Sequence, residues 1–552
     1  MRPFDPSRRL TGPNLLFDGE GAVLDVELAP EEADRAIAAW RAHARRLLDA
    51  VGWGDEELYV RRFRGGASLG FSAPFDALYA ATEVNDEAWT ATEATVLGLP
   101  GPDLYAAAHR LREEIAREEN PALRALRGAA TAHGVALLAD DQRVSIGLGA
   151  GSRTWPIEEI PDPGAIDWRE IHDVPVLLVT GTNGKTTTVR LLAAMMKEAG
   201  RVAGTTSTDR VEVGGEEVEA GDFSGPGGAR TLLRDRRVEV AILETARGGM
   251  LRRGLAVRSA DAALVTNVAA DHLGELGVFD LDDLTDAKLV VTRVVKPGGR
   301  VVLNAQDPSL VARAAGLPAP VIWFGLGETP GEEAAFLEDG YLVLRKDGRT
   351  AKVVRVDEIP ITFGGIARHN VANALAAVAL ASVTGMPVTA MAEALRGFRG
   401  DPESNPGRAN LIEAGGLRIL VDYAHNPHGL RALAALAASL PGARRLVLLG
   451  QAGDRDEESL RDLARAAWAL KPDHVVVKEL PELLRGRELG EVPAILEDEL
   501  LRLGMPPEAI SRTGSELEGV RRALDWARPG DVLLLLVHTQ RSEVMEMLRG
   551  LR

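Results

Sequence analysis

The 552-residue chain contains no cysteine. That absence excludes disulfides, thiolate nucleophiles and Cys-ligated zinc together, and it fits a reducing compartment. No apolar run approaches the ~20 residues of a membrane span; the longest, such as Val532 to Val537, read as buried strands. The N-terminal MRPFDPSRRLTGPNLL has no apolar core of signal-peptide length. An excess of basic charge is also missing, because 64 Lys and Arg against 81 Asp and Glu leave a net charge of -17. A general nucleic-acid binder is therefore disfavoured, while one local phosphate site is not. A cytoplasmic protein with no membrane and no nucleic-acid partner is expected. Lysine is scarce, at eight against 56 arginines, with none before Lys185. A lysine in this chain is accordingly less often casual surface decoration.

What is present is ordinary globular material, 45% hydrophobic and 26% charged. At roughly 150 residues per domain the length suggests three to four domains. Residues 1–165 mix short strands with helices at Ala29–Leu48, Pro102–Arg117 and Ala122–Gly134, an α+β pattern. Glu158 to Asp173, with two prolines and no regular period, reads as an interdomain linker. From residue 174 to 402 near-continuous apolar strands (Val174–Val179, Val238–Leu243, Ala262–Thr266, Val301–Leu303) are separated by helices. A second such series fills 407–552, after the Pro402-to-Gly407 hinge PESNPG. Both patterns predict parallel sheets covered on two faces.

The strongest local signal is VPVLLVTGTNGKTTTVRLLAAMM. A buried strand enters Gly181-Thr182-Asn183-Gly184-Lys185-Thr186-Thr187 and leaves as a helix. Backbone N–H groups of such a loop, backed by a helix N-terminus, cradle phosphate oxygens. Lys185 would reach the β/γ-phosphates and the Thr186 hydroxyl would ligate Mg²⁺. The generic phosphate-loop pattern wants glycine at 179, where this chain has Val179. Glu244 closes an apolar strand, where a parallel sheet presents its ligands, and is a metal candidate. His272 follows the next strand and is a metal or phosphate candidate. Lys288 lies on an otherwise apolar helix and by itself reads as a snorkelling lysine. Asn370 and Asn373, Arg408, the trio Asp422, His425 and Asn426, and the trio Asp454, Arg455 and Asp456 are weak singly. As strand-end clusters they outline one cleft between two α/β domains.

At these residues the chain resembles the Mur ligase superfamily. GTNGKTTT, ETARGG, NVAADHLG, LNAQDP, HNVANALAA, PGR, DYAHNP and GDRD occur in that family's order and approximate spacing, over about residues 174–552. Within it the chain is most similar to the C-terminal half of the cyanophycin synthetases, through GTTSTD, GDFSGPGGA, ETARGGMLRRGL and LRGRELGE. The resemblance implies an α/β protein of three domains: an α+β N-terminal domain, a P-loop parallel-sheet central domain and a Rossmann-like C-terminal domain. About 170 residues precede the Mur-like part, too few for the N-terminal and ATP-grasp domains that those synthetases carry. One ligase site without the other is expected, and with it no polymerisation of a two-amino-acid backbone by this chain alone. RLTGPNLLFDGEGAVLDVEL resembles the start of their N-terminal domain, and VSIGLGAGSRTWP a stub where ATP-grasp would begin.

The resemblance further implies an ATP- and Mg²⁺-dependent ligase that joins an amino acid to a peptide-like, aspartyl-type carboxylate and releases ADP. Lys185, His272, Lys288 and Arg408 would be its catalytic residues. Gly181, Thr182, Asn183, Gly184, Lys185, Thr186 and Thr187 would bind ATP with Asn373 (adenine), Arg408 (γ-phosphate) and Asp422 (ribose). Thr186, Glu244 and His272 would hold magnesium. Lys288 falls where several relatives carry a carbamylated lysine beside a second ion. His425, Asn426, Asp454, Arg455, Arg485 and Arg487 would face the substrates. Glu479, Glu482 and Asp454 are candidates for a guanidinium, and His425 for the amine's base. The Asp-Asn-Pro-Arg diaminopimelate motif is absent, which argues against that substrate. A homo-oligomer and a separate ATP-grasp enzyme stay open as partners. A non-ligating nucleotide-binding scaffold for such an enzyme is the competing function.

Overall fold

The computed structural model describes residues 1–551. The N-terminal part begins with an antiparallel sheet in which Glu20–Glu27 pairs with Arg2–Pro3, Arg8–Thr11 and Gly66–Ser72, and Leu58–Phe63 forms the far edge. Helices Pro30–Val51, Leu78–Leu97 and Leu104–Glu118 cover one face and bury Trp40, Leu47, Leu69 and Phe71. Asp103 caps the last of these by accepting from the amides of Tyr105 and Ala106. A second small unit joins the helix Pro121–Ala132 to a three-stranded sheet spanning Leu137–Pro156. Glu158 to Asp173 is irregular apart from two short 3₁₀ turns, yet it is not a free linker: Ile166 and Ile171 are buried against this second unit.

The central domain is built on one eleven-stranded sheet. Val176–Thr180, which feeds the glycine loop, lies between Val240–Glu244 and Ala260–Val265, all three parallel. All-apolar strands at the middle of a sheet bury both faces, and here Leu177, Val179, Ile242 and Leu264 are fully enclosed. The helices Lys185–Glu198 and Arg368–Val383 cover one face; Ala374 to Ala381 of the second are wholly buried. Antiparallel strands extend both ends of the sheet: Arg210–Val213 and Glu216–Ala220 at one, Tyr341–Lys346 and Arg349–Arg355 at the other. Sequence periodicity leaves these hairpins unassigned, because each strand is short, and Glu216–Ala220 and much of Arg349–Arg355 are exposed.

The C-terminal sheet runs, in spatial order, Asn410–Ala414, Leu417–Asp422, Val532–Leu536, Arg445–Leu449, His474–Lys478 and Ile510–Thr513. Only its first pair is antiparallel. Asp422 ends one strand as Glu244 and Thr180 end theirs, so the carboxyl ends of the two parallel sheets face a shared cleft. No helix among the described residues is long and apolar enough to cross a membrane.

Candidate functional site

The cleft encloses a cavity of about 370 Å³ whose lining includes Lys185, Glu244, Asn373, Arg408, Asp422 and His425. Its floor is the glycine loop. Gly181 (φ 143°) and Gly184 (φ 86°) occupy backbone conformations that L side chains rarely adopt. A Cβ on Gly184 would also overlap Asn373 Oδ1, and one on Gly181 would overlap Thr266 Oγ1. The loop is fixed from the neighbouring strand end: Thr182 N donates to Asn267 O (2.9 Å) and Asn183 N to Asn267 Oδ1 (3.0 Å). Lys185 opens the helix, and its Nζ folds back to Thr182 O at 3.2 Å.

Beside the loop, Thr186 Oγ1 donates to Glu244 Oε2 at 2.8 Å, and Glu244 Oε1 is buried without a hydrogen-bond partner. Burial pushes the Glu244 carboxyl up, against the pull of Lys185 and Arg408. A buried carboxylate with one satisfied oxygen, next to a threonine hydroxyl, is the donor chemistry of a magnesium site. Arg408 approaches the same point. Its Nη2 lies 3.4 Å from Thr186 Oγ1 and 3.3 Å from Thr208 Oγ1, its guanidinium sits over the Tyr423 ring, and its Nε is buried and unpartnered. These free donors and acceptors, with the positive-φ glycines, fit a Mg²⁺-nucleotide in this cavity.

Asn373 lies on the helix Arg368–Val383 against Gly184 and donates to Asn370 Oδ1. Asp422 accepts from the amides of Ala409 and Ala424, both at 2.6 Å, and burial raises its carboxyl. Asn426 caps the helix Pro427–Ser439 and bonds to Asn183, joining the C-terminal domain to the glycine loop.

His272 stands in a different group. The sets of three or more donors close enough to share an ion, among the described residues, are Asp271–His272–His425 and His272–Glu275–Asp454; Glu244 belongs to neither. The left-handed backbone of His272 (φ 52°) is anchored by Arg247, whose Nη1 donates to His272 O at 2.5 Å. Arg455 reaches across the cleft, with Nη1 and Nη2 at 2.8 and 2.7 Å from the two ring nitrogens of His272. Burial, reinforced by Arg455 and opposed by Asp271, lowers this imidazole to about 4, so it stays neutral at physiological pH. His425 Nε2 lies 3.4 Å from Asp271 Oδ2.

Lys288 does not snorkel: it is 4% exposed on the helix Leu281–Leu289. Burial, then the Lys185 ammonium, hold its amine well below the usual lysine range. Glu479 is not free for a ligand either; buried, it accepts from the amides of Leu480 and Gly490. Arg487 braces the loop through Gly453 O and Arg455 O, and Arg485 pairs with Asp454 on the exposed rim. Asp271 and Arg247 lie inside the NVAADHLG and ETARGG stretches but carry no separate signal in one sequence. Asp209, Arg190 and Arg541 also meet at the cleft edge, and for Arg541 no sequence signal exists.

The Mur ligase middle domain family matches residues 179–381, and the Mur ligase glutamate ligase domain family matches residues 407–536. Cyanophycin synthetase of Trichormus variabilis is 38% identical over 389 residues, 68% of this chain and 43% of that protein. The chain thus spans less than half the length of that relative. A UDP-N-acetylmuramoyl-L-alanyl-D-glutamate–2,6-diaminopimelate ligase of Geobacter metallireducens is 28% identical over 385 residues, 66% of this chain and 73% of that one. E. coli FolC in complex with DHPP and ADP has the same fold, with TM-score 0.51 and 22% identity over 68% of this chain and 89% of that one.

Proposed function

The chain belongs to the Mur ligase family, and we propose that it is an ATP-dependent ligase forming an amide between a carboxylate and an amino acid. The observation that carries this is the Thr186–Glu244 pair with its free carboxylate oxygen, set between Lys185 and Arg408. In the proposed reaction an acceptor carboxylate oxygen attacks the γ-phosphorus of ATP; the bond to the β-phosphate oxygen breaks, and ADP leaves. The amino group of the second substrate then attacks the acyl-phosphate carbonyl. The C–O bond to phosphate breaks, inorganic phosphate departs, and the nitrogen loses its proton as the amide forms.

Phosphoryl transfer depends on positioning and charge neutralisation. Lys185 and Arg408 are the cations of the cavity nearest Thr186 and Glu244. Thr186 and Glu244 would hold magnesium, with His272 at a second position, and the ion would neutralise phosphate charge. Asn373 would meet the adenine and Asp422 the ribose. Lys288, buried and with its amine held well below the usual lysine range, suits carbamylation, since only a neutral amine adds carbon dioxide.

The contacts of Asn426 and Arg455 with the central domain would bring the two domains together and keep water from the acyl phosphate. Asp271, His425, Asp454 and Arg455 are the polar groups that would face the expected amine. Likeness to cyanophycin synthetase favours an aspartyl-type acceptor and a basic amino acid. The N-terminal domain leans on the segment after His272, through Arg61 to Gly277 O (2.6 Å) and Phe63 stacked on Phe279. That placement suits a role in presenting the acceptor. Lys185→Ala tests the assignment: turnover should fall more than about a hundredfold with the fold intact, and retained turnover would refute it.

A further inference from the structure

Besides Arg408 on Thr186 and Thr208, and His425 beside Asp271, side chains of the two domains meet at three further places around the cleft. Asn183 meets Asn426 and His428 above the glycine loop. Arg455 meets Asp271 and His272. Those residues face the bound molecules expected above, so ligands must compete with the contacts they make. The third place differs, because neither Asp209 nor Arg541 lines the cavity.

Asp209 follows the strand Ala203–Thr206, in a loop that Ser207 holds rigid: the amides of Asp209 and Arg210 donate to its Oγ at 3.2 and 3.1 Å. Oδ2 of Asp209 receives Arg190 Nη2 at 2.7 Å, from the helix that opens at Lys185. Oδ1 receives Arg541 Nη1 at 2.8 Å, from the C-terminal domain. Burial opposes ionisation of Asp209, but Arg408, Arg541 and Arg190 together outweigh it and hold the carboxyl at about 2.

Arg541 is presented just as firmly. It begins the helix Arg541–Arg549, and the amides of His538, Thr539 and Gln540 before it all donate to Glu516. Glu516 is itself paired with the fully buried Lys478. The Arg541 guanidinium then lies over the same Tyr423 ring as that of Arg408. One carboxylate therefore ties the phosphate-loop helix, the hinge arginine's stacking partner and the last helix of the chain into one arrangement.

We propose that Asp209 and Arg541 form the latch that holds the two domains closed while the cleft is loaded, making both positioning residues for Arg408; the inference rests on the ligase function proposed above. Removing one partner of a partly buried ion pair leaves the other charge uncompensated, so loss of either Asp209 or Arg541 should weaken closure more than loss of an exposed pair would.

The absence of cysteine permits a direct test. Cysteines at the exposed positions Glu198 and Glu546, one in each domain, take a fluorescent donor and acceptor. Closure is read as the transfer efficiency on adding the non-hydrolysable analogue Mg-AMPPNP, and its affinity is measured by calorimetry. In Arg541→Ala and Asp209→Asn the nucleotide-induced rise in transfer should be lost, with analogue affinity within about threefold of the parent. Turnover should fall at least tenfold, and Arg541→Lys should recover part of both. An unchanged rise in both variants would overturn the latch. So would loss of analogue binding in Arg541→Ala, which would make that residue a nucleotide contact. A parent that closes but never turns over would count against the ligase reading and leave the latch readable from the transfer signal.

Discussion

Thr186, in the first turn of the helix Lys185–Glu198, and Glu244, at the end of the neighbouring strand Val240–Glu244, meet at 2.8 Å, leaving the second oxygen of the carboxylate buried and unsatisfied. Nothing in the packing of the protein requires this. A glutamine would fill the same volume without a charge; Lys185 and Arg408 offset part of the cost of burying the carboxylate, and a bound cation would offset more.

Glu244→Gln should therefore separate stability from function. The ligand-free protein should melt at the same temperature or higher, while turnover drops at least a hundredfold. The thermal shift on adding Mg-ATP should shrink; a hundredfold loss of affinity removes up to about 2.7 kcal/mol of linkage. Thermal melts with and without Mg-ATP check both halves. A destabilised ligand-free protein with normal turnover would mean that Glu244 is structural.

Lys288 offers a second separation. Burial and Lys185 lower this amine, which favours the neutral form that adds carbon dioxide, whereas a guanidinium cannot react in this way. Turnover in buffer stripped of carbon dioxide should fall several-fold and return on adding bicarbonate. Lys288→Arg should be inactive by at least tenfold and insensitive to bicarbonate. Equal rates in stripped and replenished buffer would remove the carbamate from the account.

The ion pair Lys478–Glu516 makes a prediction about stability alone. Both side chains are fully buried, and Lys478 Nζ also donates to Leu536 O at 2.5 Å. Burial lowers the Lys478 ammonium, opposed by Glu516. Removing one partner strands the other charge, so Lys478→Met should cost about 3–5 kcal/mol in denaturant unfolding of the C-terminal domain. The double variant Lys478→Met/Glu516→Gln should recover part of that. A cost below about 1 kcal/mol for the single change would contradict the pairing.

Much of this architecture is legible in the chain. Val176–Thr180, Val240–Glu244 and Val532–Leu536 announce themselves as apolar runs, and the turn from the first of them into the helix at Lys185 reads directly from the glycines between. The hairpin strands at the ends of the central sheet do not read, since strands of four to seven residues offer too few repeats to stand out, and Glu216–Ala220 is exposed throughout.

Side-chain roles divide in the same way. The place of Glu244 at the end of a buried strand is legible in the sequence. Whether Lys288 snorkels or is buried depends on what packs over its helix, which is a tertiary fact. Glu479 and Arg487 look available for a substrate in the sequence, but they satisfy backbone groups of their own loop. The meeting of Asp209 with Arg541 joins residues 332 positions apart, and no local pattern encodes it.

The most direct test of the central claim is ADP release from Mg-ATP, measured across the twenty amino acids with β-aspartyl and α-linked acidic peptides as acceptors. The account predicts release that requires one acceptor and one amine together, with a new amide in the product. Tight ATP binding with no stimulation by any pair would contradict it and favour a nucleotide-binding scaffold.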